Sequence, residues 1–236
     1  ASFDLRQSGR VSAVRDQTPF GTCWTFAVMG AMESNLRTQG VTGVDLSEAQ
    51  LAFFCGASLY RLESLESYLE DELNTDAFTL YSYPAARLTF GFTEGGNDDI
   101  AVGALASWVG PISEKEMPYA DVLTICGEDT ESDQFKEGAA TLAEWWESDP
   151  ALEFGAEYHL QDALYFGKGM LTDGGRDTVK LLLQECGALS IGYNSYNSDV
   201  CVNNLPATTQ NHAVLLVGWD DAFFQDNFPA YCRPQN

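Results

Sequence analysis

The stretch of sequence that decides the fold is Gln17-Thr18-Pro19-Phe20-Gly21-Thr22-Cys23-Trp24-Thr25-Phe26. It places Cys23 at the predicted first turn of an apolar segment, with Gln17 a short distance upstream. Far downstream, Asn211-His212-Ala213-Val214 opens a run with the pattern of a strand. A helix N-terminus and an imidazolium both stabilise a thiolate, which is the nucleophilic form of cysteine. The sequence therefore predicts a nucleophile at Cys23 with His212 as its partner.

The apolar segment that begins at Cys23 predicts a central helix over 23–38, because small and apolar residues cover most of its sides. Gly21 or Thr22 is predicted to cap its N-terminus, and Gly40 ends it. Glu33 falls inside this buried helix. Because a buried carboxylate needs partners, we expect Glu33 to form hydrogen bonds across the core.

Further helices are predicted in the first half of the chain. Ser47 and Gln50 have the spacing of a capping box, which predicts a helix that starts there. Leucines at helical spacing within an acidic segment predict an amphipathic helix over 61–73. A third helix is predicted over about 98–109, capped by one of its two leading aspartates.

The pattern then changes from helical to strand-rich. Gly110-Pro111 ends the third predicted helix and is the predicted boundary between two lobes. Residues 1–110 form a mainly helical lobe, whose extreme N-terminus is expected to cross to the other lobe. Residues 111–236 form a lobe with alternating strands over 188–193 and 212–219. This organisation predicts an α+β fold in two lobes.

An acidic segment stands out at residues 126–153, where Lys136 is the single basic residue. A surface insertion explains its composition, and a calcium or partner site is the alternative. The spacing of its carboxylates is not that of an EF-hand.

The overall charge excludes some classes of partner. The chain of 236 residues carries 35 acidic and 12 basic side chains, a net charge of −23. Nucleic acid is excluded as a partner because its phosphates repel such a surface, and anionic membranes are disfavoured for the same reason. No apolar run reaches the roughly 18 residues that a membrane-spanning helix needs. The N-terminal alanine is expected to be a mature or trimmed end, with any leader or prosegment removed.

The six cysteines are too few for a disulfide-dense scaffold. If Cys23 is a free nucleophile, the remaining cysteines are odd in number and cannot all pair within the chain. An extracellular location is compatible with this number of cysteines but is not required by it. The sequence does not determine which cysteines would form disulfides.

Taken together, the motifs resemble those of papain-like cysteine peptidases, most closely bacterial members with long insertions. The order and context match over nearly the whole chain. The resemblance is carried by Gln17-x5-Cys23-Trp24-x-Phe26, Leu46-Ser47-Glu48, Gly95-Gly96, Gly187-Ala188-Leu189-Ser190-Ile191 and Asn211-His212-Ala213-Val214.

This resemblance implies a role for each matching residue. Cys23 would be the nucleophile, and His212 its general base and acid. The backbone N–H of Cys23 and the side-chain amide of Gln17 would form the oxyanion hole. Gly96 would offer backbone hydrogen bonds to an extended substrate, and Gly95 would allow the substrate to approach closely.

Each assignment has a structural alternative. Cys23 could be an inert buried side chain, and Gln17 a surface amide. His212 could be a core histidine, but the other histidine, His159, lacks the small residues and long apolar strand that follow His212. Trp24 is expected to pack in the core, with substrate contact as the alternative.

The sequence departs from the family pattern in three places. Phe20 stands where many relatives have a cysteine, so we expect Phe20 to pack there and Cys55 to lack its usual bridge. The interval from Cys23 to His212 is longer than in the family, and the acidic segment accounts for much of the excess. No Asn-Ser-Trp-Gly segment follows, so the asparagine that orients the histidine is predicted to lie on a C-terminal fragment of the same precursor.

The resemblance thus predicts a papain-like two-lobe fold with a helical left lobe, an antiparallel β-barrel-like right lobe and the active site in the cleft between them. The predicted function is a secreted or cell-surface thiol endopeptidase, made as a zymogen, that acts on peptides or proteins without cofactor or metal. An exopeptidase or a peptide ligase would use the same atoms. A peptide-binding pseudoenzyme and a transglutaminase-type acyl transferase are the alternatives from other classes.

Overall fold

The computed structural model describes residues 1–55, 88, 91–167, 173–195 and 210–223. Its helices are α1 (Cys23–Thr38), α2 (Glu48–Phe54), α3 (Asp98–Ala106), α4 (Tyr119–Cys126), α5 (Asp133–Glu147), α6 (Pro150–Phe154) and α7 (Asp173–Glu185). Its strands are β1 (Ser2–Asp4), β2 (Leu189–Tyr193), β3 (His212–Leu216) and β4 (Gly218–Asp220). The chain is therefore a mixture of helix and sheet, as the sequence predicts.

The chain forms two compact units. The Cys23 unit comprises Val14–Met29 and Val44–Leu164. The His212 unit comprises Ala1–Ala13, Gly30–Gly43 and Tyr165–Asn236. This division differs from the boundary predicted at Gly110-Pro111, because residues 111–164, which contain α4, α5 and α6, belong to the same unit as α2 and α3.

The acidic segment predicted as a surface insertion contains α5, and one face of this helix is buried. Phe135, Leu142 and Trp146 are almost completely buried, whereas Trp145 is 57% exposed. The acidic residues of α5 thus lie on its solvent-exposed face, and the other face belongs to the core of the Cys23 unit.

Phe20 packs in an aromatic cluster, as predicted. Its ring centroid lies 5.5 Å from that of Phe92, 6.1 Å from that of Tyr119 and 6.0 Å from that of Phe135. Edge-to-face and tilted aromatic pairs at these distances are stabilising beyond the area that they bury. Cys55 is buried at the C-terminal end of α2. The loop before Cys23 is therefore held by aromatic packing.

Most of the predicted helix starts are confirmed. Helix α1 begins at Cys23, and the backbone N–H of Gln50 donates to Ser47 Oγ at 3.0 Å to cap α2. The cap of α3 differs from the prediction, since it is Asn97 and neither of the leading aspartates. The Asn97 carboxamide oxygen accepts from the N–H of Ile100 at 2.9 Å. The helix predicted over 61–73 lies outside the described residues.

In the His212 unit, the described strands form two antiparallel sheets of two strands each. Strand β2 pairs with β3 in a register that places Tyr193 opposite His212, and β1 pairs with β4. The strand predicted over 212–219 is divided at Val217, whose carbonyl accepts from the N–H of Leu5 at 2.9 Å. The division allows the segment after His212 to pair with two different strands.

The second part of α1 positions β2 and β3 within the His212 unit. Ser34 Oγ accepts from the N–H of Ala188 at 2.8 Å and donates to the carbonyl of Arg10 at 2.7 Å. A side chain at Gly30 would meet Leu215 of β3 at 3.1 Å, so the helix and strand approach closely. Glu33 is fully buried in this part of α1, as predicted.

Candidate active site

Cys23 is the first residue of α1 and is partly exposed. The carbonyl of Thr22 accepts from the N–H of Thr25 at 2.9 Å, which starts the helix. The amides of a first helical turn point out of the helix without intrahelical acceptors, and they carry the positive end of the helix dipole. Cys23 therefore lies at the end of α1 where free backbone N–H groups can bind an anion.

Gln17 lies in the loop before α1, with its side chain held by that loop. Its Nε2 donates to the carbonyl of Phe20 at 2.8 Å. Its own backbone carbonyl accepts from the hydroxyl of Tyr119 at 2.8 Å. A carboxamide nitrogen carries two hydrogens, so the bond to Phe20 fixes the amide and leaves a second N–H that can be donated to a ligand.

The Gly95-Gly96 segment lies alongside the residues that lead into α1. A Cβ placed on Gly96 would lie 2.4 Å from Trp24 Cε2, and one placed on Gly21 would lie 3.3 Å from the nitrogen of Gly95. Gly21 N–H also donates to the carbonyl of Phe92 at 2.7 Å. These contacts bring Gln17, Cys23, Trp24, Gly95 and Gly96 together in the Cys23 unit.

Trp24 is a core residue, since only 1% of it is exposed. Its indole lies directly beneath the exposed Gly96. The structure thus favours core packing for Trp24 over the alternative of substrate contact. The ring acts on the site by setting the position of the glycine segment above it.

His212 is the first residue of β3 in the His212 unit. Its ring centroid lies 5.4 Å from that of Tyr193 on β2. The preceding Asn211 anchors the strand, because its side-chain oxygen accepts from the N–H of Ser195 at 2.7 Å. Partial burial lowers the pKa of His212 from its ordinary value. Its pairing with Cys23 stays a prediction.

The other histidine, His159, has a different environment. Its ring stacks on Trp108 with 4.2 Å between the ring centroids and 18° between the ring planes. Both residues belong to the Cys23 unit. This stacking gives His159 a packing role, in agreement with the sequence argument for His212.

Arg15, which precedes Gln17 in the same loop, contacts one buried and one exposed carboxylate. Arg15 donates to the carboxylates of Glu48 and Asp45. Glu48 is 2% exposed, and its burial raises its pKa to about 7 despite the guanidinium. Burial also raises the pKa of Glu114 to about 7, and one oxygen of this carboxylate accepts from the N–H of Tyr119 at 2.7 Å.

No role for Tyr119 is predicted from the sequence, and Thr22 is predicted only as a possible N-terminal cap of α1. The hydroxyls of these two residues lie 2.6 Å apart, and the Tyr119 hydroxyl also reaches the carbonyl of Gln17. A tyrosine after a proline, as in Pro118-Tyr119, is a weak local signal. Nothing in the sequence indicates that its hydroxyl lies beside a residue more than a hundred positions earlier.

Comparison with known proteins gives matches in sequence and in structure. Residues 1–58 match the family model described as papain family cysteine protease. The thiol protease aleurain of Arabidopsis thaliana is 44% identical over 54 residues, which cover 23% of this chain and 15% of that protein. Cathepsin L1 of Drosophila melanogaster is 33% identical over 135 residues, which cover 48% of this chain and 35% of that protein.

Among solved structures, a clostridial cysteine protease, Cwp84, after propeptide cleavage matches all of this chain with a TM-score of 0.62 and 21% identity. The resemblance to papain-like cysteine peptidases is confirmed. A second structure contains the cysteine protease and lectin-like domains of Cwp84, a surface layer associated protein of Clostridium difficile. It matches 99% of this chain with a TM-score of 0.62 and 20% identity. The structural matches thus cover almost all of the chain, whereas the family model matches residues 1–58, which contain Gln17 and Cys23.

The matched proteins are longer than this chain. The chain covers 35% of the cathepsin, 15% of aleurain and 47% of the first clostridial chain. Within the part of the chain that the structure describes, no helix combines the length and apolar character needed to cross a membrane. The same described residues contain no group of three or more histidine, cysteine or acidic side chains placed to bind a metal ion.

Proposed function

We propose that this chain carries the active site of a papain-like thiol endopeptidase. The observation that supports the proposal is the placement of Cys23 at the N-terminus of α1, beside Gln17 and Gly95-Gly96 in one compact unit. A thiolate at a helix N-terminus with a second amide donor nearby is the arrangement that acyl transfer requires. The papain-family sequence of residues 1–58 supports the same assignment.

The proposed reaction has two steps. The thiolate of Cys23 attacks the peptide carbonyl carbon, and the carbonyl electrons move to the oxygen, which binds the N–H of Cys23 and the amide of Gln17. When this intermediate collapses, the C–N bond breaks and imidazolium His212 gives its proton to the leaving amine. Neutral His212 then takes a proton from water, the hydroxide adds to the thioester, and the thiolate leaves with the carboxylic acid product formed.

The finer features of the fold and biology are part of this proposal. Substrate peptide or protein would lie extended in a cleft between a helical lobe and a β-barrel-like lobe, with the backbone of Gly96 as a hydrogen-bonding partner. We place the protein outside the cell or at its surface, as a mature form released from a zymogen. The proposal also places the asparagine that orients His212 on a further fragment of the precursor.

Selective alkylation and peptide cleavage test the proposed function together. The chain is treated with iodoacetamide between pH 5 and pH 9, and labelled cysteines are located by mass spectrometry. An activated thiolate at Cys23 would react at acidic pH, whereas an ordinary thiol reacts mainly above about pH 8. Cleavage of a fluorogenic peptide library is expected to fall at least about 10⁴-fold in Cys23→Ala, and Cys186→Ala is the matched control.

The outcomes separate the candidate functions. Selective labelling of Cys23 at acidic pH together with Cys23-dependent cleavage supports the peptidase. Selective labelling without cleavage would point to a peptide-binding relative that lacks turnover. Labelling of Cys23 that follows the pH profile of Cys186, without cleavage, would refute the proposed nucleophile.

A further inference from the structure

The hydroxyl of Tyr119 lies between the two segments that flank the proposed oxyanion hole. Tyr119 is the first residue of α4 and is 9% exposed. Its hydroxyl lies 2.8 Å from the backbone oxygen of Gln17 and 2.6 Å from Oγ1 of the fully buried Thr22. Gln17 is the proposed side-chain donor, and Thr22 directly precedes Cys23, whose backbone N–H is the proposed second donor.

The direction of each hydrogen bond follows from the atoms available. The carbonyl oxygen of Gln17 can only accept, so the single phenolic proton of Tyr119 is donated to it. The hydroxyl of Thr22 must then donate its own proton to the phenolic oxygen. Burial raises the pKa of Tyr119 above its ordinary value, so the hydroxyl keeps this proton throughout the pH range in which cysteine peptidases are assayed. The bridge therefore runs from Thr22 through Tyr119 to Gln17.

Packing fixes the ring that carries this hydroxyl. The Tyr119 ring centroid lies 4.9 Å from that of Phe26 on α1 and 5.7 Å from that of Phe92. The ring of Phe20, inside the bridged loop, lies 6.1 Å away. The backbone N–H of Tyr119 donates to Glu114, which fixes the start of α4. The ring and backbone of Tyr119 are thus held by contacts with four other segments of the same unit, and these contacts fix the position of the phenolic oxygen.

We infer that Tyr119 is a positioning residue for the oxyanion hole, which sets the distance between the Gln17 amide and the Cys23 N–H. This inference rests on the proposed function and identifies the group that aligns its two donors. Tyr119 itself contacts neither the substrate nor the sulfur in this assignment. It acts through the backbone of Gln17 and through Thr22.

The need for such a bridge follows from the chemistry of the step. An oxyanion hole works when both donors are placed in advance at the position of the developing charge. The loop from Gln17 to Thr22 contains its own hydrogen bonds from the Gln17 side chain and the Phe20 N–H, but both lie at one end. The Tyr119 side chain joins the two ends of this loop, Gln17 and Thr22. Loss of its hydroxyl would therefore allow the distance between the Gln17 amide and the Cys23 N–H to vary.

Two variants remove the bridge with little change of shape. Tyr119→Phe deletes the phenolic oxygen and keeps the ring, and Thr22→Val replaces the other hydroxyl by a methyl group. Tyr158→Phe makes the same chemical change elsewhere in the Cys23 unit and serves as the matched control. Thermal unfolding of all variants identifies any that lose their fold.

The measurements separate the oxyanion hole from the thiolate. A peptide aldehyde forms a hemithioacetal: the sulfur adds to the aldehyde carbon, and the aldehyde oxygen enters the oxyanion hole and takes up the thiol proton. Iodoacetamide alkylates the same sulfur with loss of iodide. This reaction forms no oxyanion, so its rate does not depend on the oxyanion hole. We expect Tyr119→Phe and Thr22→Val each to lower kcat and aldehyde affinity by about tenfold to a hundredfold, with KM and the alkylation rate of Cys23 changed by less than about threefold.

Three results would overturn the inference. Unchanged kcat and aldehyde affinity in both variants would show that Tyr119 does not align the donors. An equal loss of alkylation rate and aldehyde affinity, with a lower unfolding temperature, would assign Tyr119 a purely structural role. If the unaltered chain neither cleaves peptides nor binds the aldehyde, the proposed function fails, and the inference fails with it. If only the inference about Tyr119 is wrong, the unaltered chain still cleaves peptides.

Discussion

Gly96→Ala tests the contact between the glycine segment and the indole beneath it. The added Cβ would lie 2.4 Å from Trp24 Cε2 and within 2.7 Å of two further ring atoms. Because carbon atoms in contact lie about 3.5–4.0 Å apart, the segment must move by about 1 Å relative to the ring. The ring has no open space to enter, since Trp24 is 1% exposed. The displacement therefore falls on the backbone around Gly96.

This displacement should reduce stability and activity together. Overpacking of this kind lowers the free energy of unfolding by roughly 1–3 kcal/mol. If the backbone of Gly96 binds substrate as proposed, a shift of about 1 Å lowers kcat/KM by up to about a hundredfold. Gly103→Ala is the matched control, because it lies on the exposed side of α3 with no other atom within 4 Å of the new Cβ. The control should gain roughly 0.5–1 kcal/mol with unchanged kcat/KM.

Urea denaturation followed by tryptophan fluorescence, together with initial rates on one fluorogenic peptide, measures both effects. The Trp24→Phe background, with a smaller ring, should reduce the stability cost of Gly96→Ala, and the double-mutant cycle should report coupling. An unchanged unfolding midpoint for Gly96→Ala, or a cost that is the same with Phe at position 24, would refute the packing argument. A lower midpoint with unchanged kcat/KM would refute only the substrate role of Gly96.

Two further predictions concern the rest of the Cys23 unit. Trp146→Ala should lower the free energy of unfolding in urea by roughly 3–5 kcal/mol because the side chain is 1% exposed, whereas Trp145→Ala at the neighbouring exposed position should change it by less than about 0.5 kcal/mol. Equal effects would contradict the assignment of the buried and exposed positions. Burial raises the pKa of Glu48 and Glu114 from about 4.5 to about 7. Because the folded chain therefore binds more protons than the unfolded chain in this range, its stability should fall as the pH rises from 4.5 to 7. Glu114→Gln should flatten this profile in urea midpoints taken at each pH, and an unaltered slope would contradict it.

Local features of the fold could be predicted from the sequence because their causes are local. The start of α1 at Cys23 follows from a loop-forming stretch that meets an apolar run, and the start of α2 follows from the spacing of Ser47 and Gln50. Strand β2 and the start of β3 at His212 follow from alternation. In each case the deciding residues lie within a few positions of one another.

Other features depend on tertiary contacts that composition does not reveal. Helix α5 has many charges, but the spacing of Phe135, Leu142 and Trp146 places them on one face, and this periodicity outweighs the acidity. The division of the strand at Val217 depends on pairing with the N-terminus. Asn97 caps α3, since its side-chain oxygen accepts from the N–H of Ile100 in the first turn.

The rings that hold Phe20 come from both sides of the boundary predicted at Gly110-Pro111. A disulfide would fix the loop before Cys23 by itself, whereas Phe20 fixes it only if other rings surround it. Those rings include Tyr119 from α4 and Phe135 from α5, which belong to residues 111–164. The same helices that fix the loop also supply the hydroxyl that joins Gln17 to Thr22. The helices beyond Gly110 therefore belong to the same unit as Cys23, because their side chains hold the loop that precedes it.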